Sequence, residues 1–194
     1  MSTRQEAAAV ARRWLEQDAL FLDTETTGLH AGAEIVELSV IDRDGQPVLD
    51  TLIRPEQPIP AALTRIHGID NAMVASAPRW PDVHEQLLAL IEDRLLVIYN
   101  AEFDLRMLNQ VSTQHRLPWP AVQERVGTQT RLANTTVVHC AMLEYSRFYG
   151  SHRWQSLSKA CEQQGIAVTG AHRALADCRM TLGVVQAMAR RAER

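Results

Sequence analysis

The chain has 194 residues, with 20 Lys and Arg against 23 Asp and Glu, which gives a formal net charge of −3 at pH 7. Apolar residues make up 46% and charged residues 22%, so the composition excludes a disordered chain, a collagen-like fibre and a coiled-coil rod. The acidic balance also excludes a large, uniformly basic surface as the means of holding nucleic acid.

Cysteine usage and the N-terminal sequence predict a reduced, cytoplasmic protein without a membrane segment. The three cysteines form no Cys-x-x-Cys pair and are odd in number, which argues against a disulfide framework and favours small buried side chains. No apolar run reaches the roughly eighteen residues that a membrane span needs. The first residues, MSTRQEAAAVARRWLEQ, carry charges throughout and lack the apolar segment of a secretory signal.

The first third of the chain predicts a helix followed by an antiparallel meander of strands. Residues 3–17 are rich in Ala, Arg and Glu and predict the helix. The apolar run at 19–23 predicts a first strand that ends in an acid, because the Thr and Gly residues after it break the run. Strands at 34–42 and 48–53 are joined by the hairpin signal Asp44-Gly45.

The rest of the chain alternates helices with strands. A Pro-rich stretch at 55–78 predicts a loop, and 121–136 shows no clear pattern. Helices are expected at 80–93, 102–114, 141–148, 155–164 and 173–191, with strands at 95–99 and 137–140. A meander followed by alternating elements predicts an α/β fold with a mixed sheet, without repeats or linkers.

The acid-x-acid pair Asp23 and Glu25 is the sharpest local feature. Residues i and i+2 of a strand point to the same face, so the two carboxylates would project together beside a buried strand. Such close like charges are costly unless a divalent cation neutralises them. The spacing alone is a weak signal, because Asp42 and Asp44 share it and are best interpreted as a solvated turn.

Two further groups of residues have both a functional and an ordinary interpretation. Asp104 follows the strand at 95–99, where α/β folds place ligands, yet an acid there can also simply complement a helix dipole. His172 and Asp177 open the last helical pattern, so both could address one site. The alternative is an acid at a helix start preceded by a surface histidine.

Taken together and in this order, the motifs resemble the DEDDh superfamily of 3′–5′ exonucleases, which includes proofreading subunits of bacterial DNA polymerases, ribonuclease T and oligoribonuclease. The resemblance covers about residues 19–190 and rests on FLDTETTGL, IHGID, YNAEFDLRML and AHRALADCRMT. It implies a ribonuclease H-like mixed sheet flanked by helices, an exonuclease core at 19–190 and a helix at 1–18 ahead of it, all within one domain of 1–194.

The resemblance also implies a mechanism. Asp23, Glu25, Asp104 and Asp177 would bind two divalent cations, Mg²⁺ or Mn²⁺, about 3.5–4 Å apart. His172 would be the general base, since imidazole is largely neutral yet basic near pH 7. The products would be a 5′-mononucleotide and a chain one unit shorter.

Substrate contacts follow from the same resemblance. Leu29 would wedge against the last base, and Gly28 would allow the backbone to approach the ligand closely. Each of these positions also has an ordinary interpretation, such as core packing or a turn. The implied contacts are Thr26, Thr27, Gly28, Leu29, His67, Asn100 and Phe103.

Aromatic and basic residues outside these motifs are given ordinary roles. Trp80 and Trp154 are expected to be packing anchors. His152, Arg153 and Lys159 form a short basic stretch that could steer phosphates, although solvated surface charge is the preferred interpretation.

The leading hypothesis is a metal-dependent 3′–5′ exonuclease acting on single-stranded DNA ends. An RNA-trimming enzyme of the same superfamily shares all five catalytic positions, so only recognition of the sugar 2′-OH separates the two. A different class, a non-catalytic accessory that binds nucleic acid or a polymerase, would bind substrate without turnover. The short sequence after Asp177 predicts no polymerase-tethering tail. We therefore expect a stand-alone enzyme, with a homodimer as one form that it could take.

Overall fold

The computed structural model describes residues 2–193, and within them seven β-strands form one sheet. The strands are β1 (Leu20–Thr26), β2 (Ile35–Ile41), β3 (Pro47–Leu52), β4 (Leu95–Ile98), β5 (Val122–Val126), β6 (Gln129–Leu132) and β7 (Val137–Cys140). The helices are α1 (Thr3–Glu16), α2 (Ala61–His67), α3 (Trp80–Ile91), α4 (Ala101–Gln114), α5 (Ala141–Tyr149), α6 (Leu157–Gln164) and α7 (Ala174–Ala189), followed by a 3₁₀ turn at Arg190–Glu193.

The sheet is mixed, as predicted, with the strand order β3-β2-β1-β4-β7-β6-β5. β3, β2 and β1 form the antiparallel meander, with Gly45 at φ +80° in the hairpin turn that joins β2 to β3. β1, β4 and β7 are parallel, and the β5–β6 hairpin extends the sheet antiparallel to β7. The carboxyl ends of β1, β4 and β7 therefore meet at one edge, where α/β sheets bind ligands.

Helices cover both faces of the sheet and form a large hydrophobic core on each, beside a smaller third cluster of Val36, Ile59, Ile69 and Val74. On one face, α3 and α4 pack against Leu20 and Leu22 of β1. On the other, α1, α5, α6 and α7 pack against Phe21 of β1. This alternation fixes the orientation of β1, because odd-numbered positions face α7 and even-numbered positions face α4.

Three expectations about secondary structure are corrected. β1 does not end at Asp23 but continues to Thr26, because its ladder with β2 extends that far. The loop predicted at 55–78 contains α2, a helix of 7 residues that is too short to show a clear period. The stretch at 121–136 forms the β5–β6 hairpin, and β5 is exposed at every position, so it has no alternating apolar pattern.

Buried and exposed residues otherwise follow the sequence analysis, with one exception. Trp80 is a packing anchor as predicted, at 1% exposure, but Trp154 is 65% exposed and packs in neither core. All three cysteines are buried, as predicted, and Cys140 ends the strand β7. No helix among the described residues has the length and apolar character to cross a membrane.

Candidate active site

Three of the predicted acids come together at the carboxyl edge of the sheet. Asp23 and Glu25 project from β1 toward α7, and Asp177 lies in the first turn of that helix. One carboxylate oxygen from each of these three residues lies within 4.8 Å of the other two. Two elements far apart in sequence thus bring three carboxylate oxygens close together.

Asp104 approaches the same edge from the opposite face of the sheet. It lies in the first turn of α4, is only 3% exposed, and accepts a hydrogen bond of 2.8 Å from Thr24 Oγ1. Thr24 stands between Asp23 and Glu25 on β1, so its side chain points toward α4. Asp104 is outside the group of three, but its charge is close enough to raise the pKa of Asp23.

Burial and mutual repulsion make the ionised form of these carboxyl groups unfavourable. Burial, reinforced by Asp104 and Asp177, raises the pKa of Asp23 well above its ordinary value. Burial and the charge of Asp177 raise the pKa of Glu25 to about 8. Burial likewise raises the pKa of Asp104 to about 7 and that of Asp177 to about 6. A partly buried set of carboxylate oxygens with excess negative charge fits a divalent cation such as Mg²⁺ or Mn²⁺.

These raised pKa values predict how pH and divalent metal act on stability. Without metal and above pH 6.5, Asp104 and Glu25 of the folded chain keep protons that the unfolded chain has already released. The free energy of unfolding therefore falls as pH rises toward about 7 and 8, the pKa values of these two groups. Each such proton changes the free energy of unfolding by about 1.4 kcal/mol per pH unit. A bound cation favours the ionised carboxylates and reverses this loss.

The expected result is a Mg²⁺-induced rise in melting temperature that is larger at pH 8.5 than at pH 6.5. The measurement is thermal unfolding of metal-stripped protein with and without added MgCl₂ at the two pH values. Burial lowers the pKa of His139 to about 4. Lower pH is avoided because protonation of this histidine would add a second pH dependence to stability. Equal Mg²⁺ shifts at both pH values would contradict the coupling between these carboxyl groups and metal.

His172 lies on the loop that enters α7 and is exposed. Its backbone adopts φ +65°, in the left-handed region, and its backbone N–H donates to Asp177 Oδ1 over 3.3 Å. This hydrogen bond holds the histidine next to one of the clustered acids while leaving its imidazole in solvent. The predicted arrangement of a helix-borne acid with a loop-borne histidine is therefore present.

An ion pair between Glu37 and Arg173 holds this loop against the sheet, and the sequence analysis missed it. Arg173 Nη2 and Nε donate to the Glu37 carboxylate over 2.6–3.1 Å, and the backbone N–H of Ala174 donates to the same group over 2.9 Å. Glu37 is 3% exposed and pairs directly with Glu25 across β1 and β2. The sequence contains one sign of this ion pair, because Glu37 is an acid in the middle of the apolar strand sequence IVELSVI.

The loop after β1 contains the next predicted contacts. Thr26 and Thr27 are buried and act within the loop, because Thr26 Oγ1 donates to Gly28 O over 2.9 Å and Thr27 Oγ1 accepts from Glu34 N–H over 2.9 Å. Gly28 has φ +153°, and a Cβ there would lie 3.1 Å from the His30 ring. Leu29 is 74% exposed, so it is not a core residue.

Side chains of α4 fix this exposed loop in place. Arg106, Gln110 and Gln114 recur every four residues and so lie on one side of the helix. Arg106 donates to Leu29 O over 3.4 Å, Gln110 to Ala33 O over 2.7 Å, and Gln114 to the carbonyl before Gly32 over 3.3 Å. The helix that carries Asp104 therefore also sets the position of Leu29.

The three remaining predicted contacts surround the same edge. His67 ends α2 and is 3% exposed, and burial lowers the pKa of its imidazole, while the charge of the nearby Glu37 acts in the opposite direction. Its Nδ1 accepts from the Ile69 N–H over 3.1 Å, and its Nε2 has no hydrogen-bond partner among the described residues. Phe103 is partly buried on α4, and Asn100 is exposed immediately before that helix.

Comparisons with known proteins identify the family to which the chain belongs. The sequence model of the RNase_T exonuclease family matches residues 20–185. The chain is 43% identical over 187 residues to the uncharacterized exonuclease CP81 of Escherichia phage 186, covering 93% of this chain and 92% of that protein. It is 30% identical to DNA polymerase III subunit epsilon of Treponema pallidum, covering 86% of this chain and 74% of that protein.

A solved structure, exonuclease X in complex with 5′ overhanging duplex DNA, is similar in fold. Its TM-score is 0.62 at 28% identity, and the match covers 88% of this chain and 90% of that one. The family match spans the acids of β1, α4 and α7 together with His172. The chain therefore belongs to the DEDDh superfamily of 3′–5′ exonucleases and is a hydrolase of that class.

Proposed function

We propose that this exonuclease removes 5′-mononucleotides one at a time from the 3′ ends of single-stranded DNA, with two divalent cations as cofactors. The observation that carries the proposal is the group of carboxylates from Asp23, Glu25 and Asp177, with Asp104 and His172 beside it. Phosphodiester hydrolysis by a two-metal mechanism needs a site that binds cations and a base that accepts a proton from water. This edge of the sheet contains residues suited to both tasks.

The metal-binding residues are proposed to be Asp23, Glu25, Asp104 and Asp177. Bound Mg²⁺ or Mn²⁺ would supply charge stabilisation for the attacking and leaving oxygens of the phosphoryl group. Thr24 Oγ1 donates to Asp104 Oδ1, which orients that carboxylate, and the charge of Arg173 partly offsets the burial and repulsion that raise the pKa of Glu25. The chain thus prepares the carboxylates for cations by position and by charge.

His172 is the proposed general base. An imidazole on an exposed loop can take a proton from the attacking water and release it to solvent without opening the core. The hydrogen bond from its backbone to Asp177 and the Glu37–Arg173 ion pair one residue later restrict where the ring can move. Orientation of this kind is a recognised source of rate enhancement.

The terminal nucleotide is proposed to bind between the loop after β1 and the start of α4. The exposed Leu29 side chain would wedge against the last base, and the ring of Phe103 would pack on the nucleotide. Gly28 permits close approach of the backbone, with Thr26 and Thr27 shaping the loop beneath it. His67 Nε2 and the Asn100 side chain supply polar groups for the sugar or phosphate.

The preference for DNA is tested by competition between polymers of one sequence. Single-stranded DNA, the matching RNA, and DNA ending in a single 3′ ribonucleotide are each labelled at the 5′ end and digested with Mg²⁺. We expect DNA to be shortened faster than RNA, since two of the similar proteins are named for DNA polymerase III and for a complex with DNA. The chimeric strand isolates recognition of the terminal 2′-OH. Faster shortening of RNA would replace this substrate with an RNA end.

A further inference from the structure

The loop between α5 and α6, residues 151–155, displays an aromatic side chain to solvent. Trp154 is 65% exposed, whereas Trp14 and Trp80 are each 1% exposed. Indole is among the largest apolar groups that a protein can bury, and an indole left in solvent on a short loop is available to bind a ligand.

The loop is fixed by hydrogen bonds that leave the Trp154 side chain exposed. The Gln155 side-chain amide donates to Arg153 O over 3.0 Å and to Ser151 Oγ over 3.3 Å, while Gln163 Nε2 donates to Gln155 Oε1 over 3.1 Å. Ser151 Oγ also donates to Arg153 O over 2.8 Å. A loop that is already fixed by hydrogen bonds loses little conformational entropy when a ligand binds to its side chains.

A second set of contacts attaches this loop to the site edge of the sheet. Tyr99 Oη donates to Gln155 O over 2.9 Å, and Tyr99 directly precedes Asn100 and the helix of Asp104. The Tyr99 side chain packs in the core that faces α7, the same side of the sheet toward which Asp23 and Glu25 project. The loop therefore flanks the acidic group on the side away from Leu29, whose loop is fixed by α4.

Arg153 places a positive charge next to the indole of Trp154. Arg153 is exposed, and no carboxylate among the side chains described at residues 2–191 lies within ion-pairing distance of its guanidinium. The nearby Lys159 differs, because its ammonium is paired with Glu162 over 3.2 Å. An uncommitted guanidinium beside an exposed indole combines a phosphate ligand with a base-stacking surface.

We propose that Trp154 and Arg153 form a contact for single-stranded nucleic acid upstream of the 3′-terminal nucleotide, with the indole stacked on a base and the guanidinium on a phosphate. The inference rests on the proposed function and extends it to substrate length. A single-stranded polyanion fits better than a protein partner, because the indole is flanked by His152 and Arg153 instead of by apolar residues. Strands long enough to reach the loop should bind more tightly than a dinucleotide.

The test compares a thymidine dinucleotide with a thymidine dodecanucleotide in steady-state exonuclease assays. For Trp154→Ala and Arg153→Ala we expect the KM of the dodecanucleotide to rise about tenfold, the size of effect typical of a lost stacking or phosphate contact. Dinucleotide KM and both kcat values should change little, and Trp154→Phe should restore part of the loss. Lys159→Ala is the matched control, since it removes a cation of the same region that is already paired.

The outcomes separate failure of this inference from failure of the proposed function. If wild-type protein cleaves neither substrate, the proposed function itself is wrong. If it cleaves both and Trp154→Ala leaves the dodecanucleotide KM unchanged, the loop does not bind the strand. If Trp154→Ala affects the dinucleotide as strongly as the dodecanucleotide, the loop supports the acidic site and is not an upstream contact. Both of the latter results overturn the inference.

Discussion

Replacing Asp23 with Asn is expected to lower exonuclease turnover by at least about a thousandfold. The amide keeps the shape of the side chain but removes a negative charge from the group that would hold the cations. Metal ions contribute several kcal/mol to transition-state stabilisation, and each 1.4 kcal/mol corresponds to roughly a factor of ten. Single-turnover degradation of a 5′-labelled oligonucleotide measures the loss.

The stability of this variant separates lost chemistry from lost structure. Asp23 is surrounded by Asp104, Asp177 and Glu25, which raise its pKa, so the neutral amide relieves repulsion in the metal-free protein. Its melting temperature without metal should equal or exceed that of the wild type. Asp44→Asn is the matched control, because Asp42 and Asp44 have the same acid-x-acid spacing but lie at a solvated turn. Full turnover in Asp23→Asn would show that Asp23 is not a catalytic residue.

Replacing His172 with Ala is expected to lower kcat by roughly 10²–10⁴, the contribution of a positioned general base. KM should change much less, because the predicted substrate contacts lie on the loop after β1, on α2 and at α4. Steady-state kinetics at neutral pH measure both constants. His115→Ala, at the end of α4, removes an imidazole remote from the clustered acids and should behave as wild type.

Backbone strain at this position requires a second variant. His172 has φ +65°, a region that Asn tolerates better than Ala does. If Ala inactivates the enzyme only by disturbing the loop, His172→Asn will restore activity. We expect His172→Asn to be as inactive as His172→Ala, because an amide cannot accept the proton of the attacking water. Recovery of the wild-type rate in His172→Asn would assign the role of base to another group.

The acids of the site were predictable because each has a local pattern. Asp23 and Glu25 alternate along a strand, and Asp104 and Asp177 each open a helix that follows a recognisable break. No single sequence pattern indicated that these four acids lie close together in the fold. Their proximity depends on the parallel pairing of β1 with β4 and on the packing of α7 against β1, which are long-range contacts.

Other parts of the fold lacked a usable signal. β5 is exposed at every position and therefore shows no apolar alternation, and α2 is too short for a helical period. The partners Glu37 and Arg173 are 136 residues apart in sequence, so nothing local identified the ion pair that fixes the His172 loop. Trp154 was expected to be a packing anchor because tryptophan is usually largely buried, whereas it lies 65% exposed on the loop between α5 and α6.

The most direct test of the site is a digestion of 5′-labelled single-stranded DNA by wild-type protein and by Asp23→Asn, each with Mg²⁺, with Mn²⁺ and with chelator. We predict a ladder that shortens from the 3′ end with wild-type protein and either metal, and no ladder with chelator or with the variant. A ladder that persists in chelator or in Asp23→Asn would contradict catalysis by metal at Asp23, Glu25, Asp104 and Asp177. Binding without any ladder would instead identify a non-catalytic accessory protein.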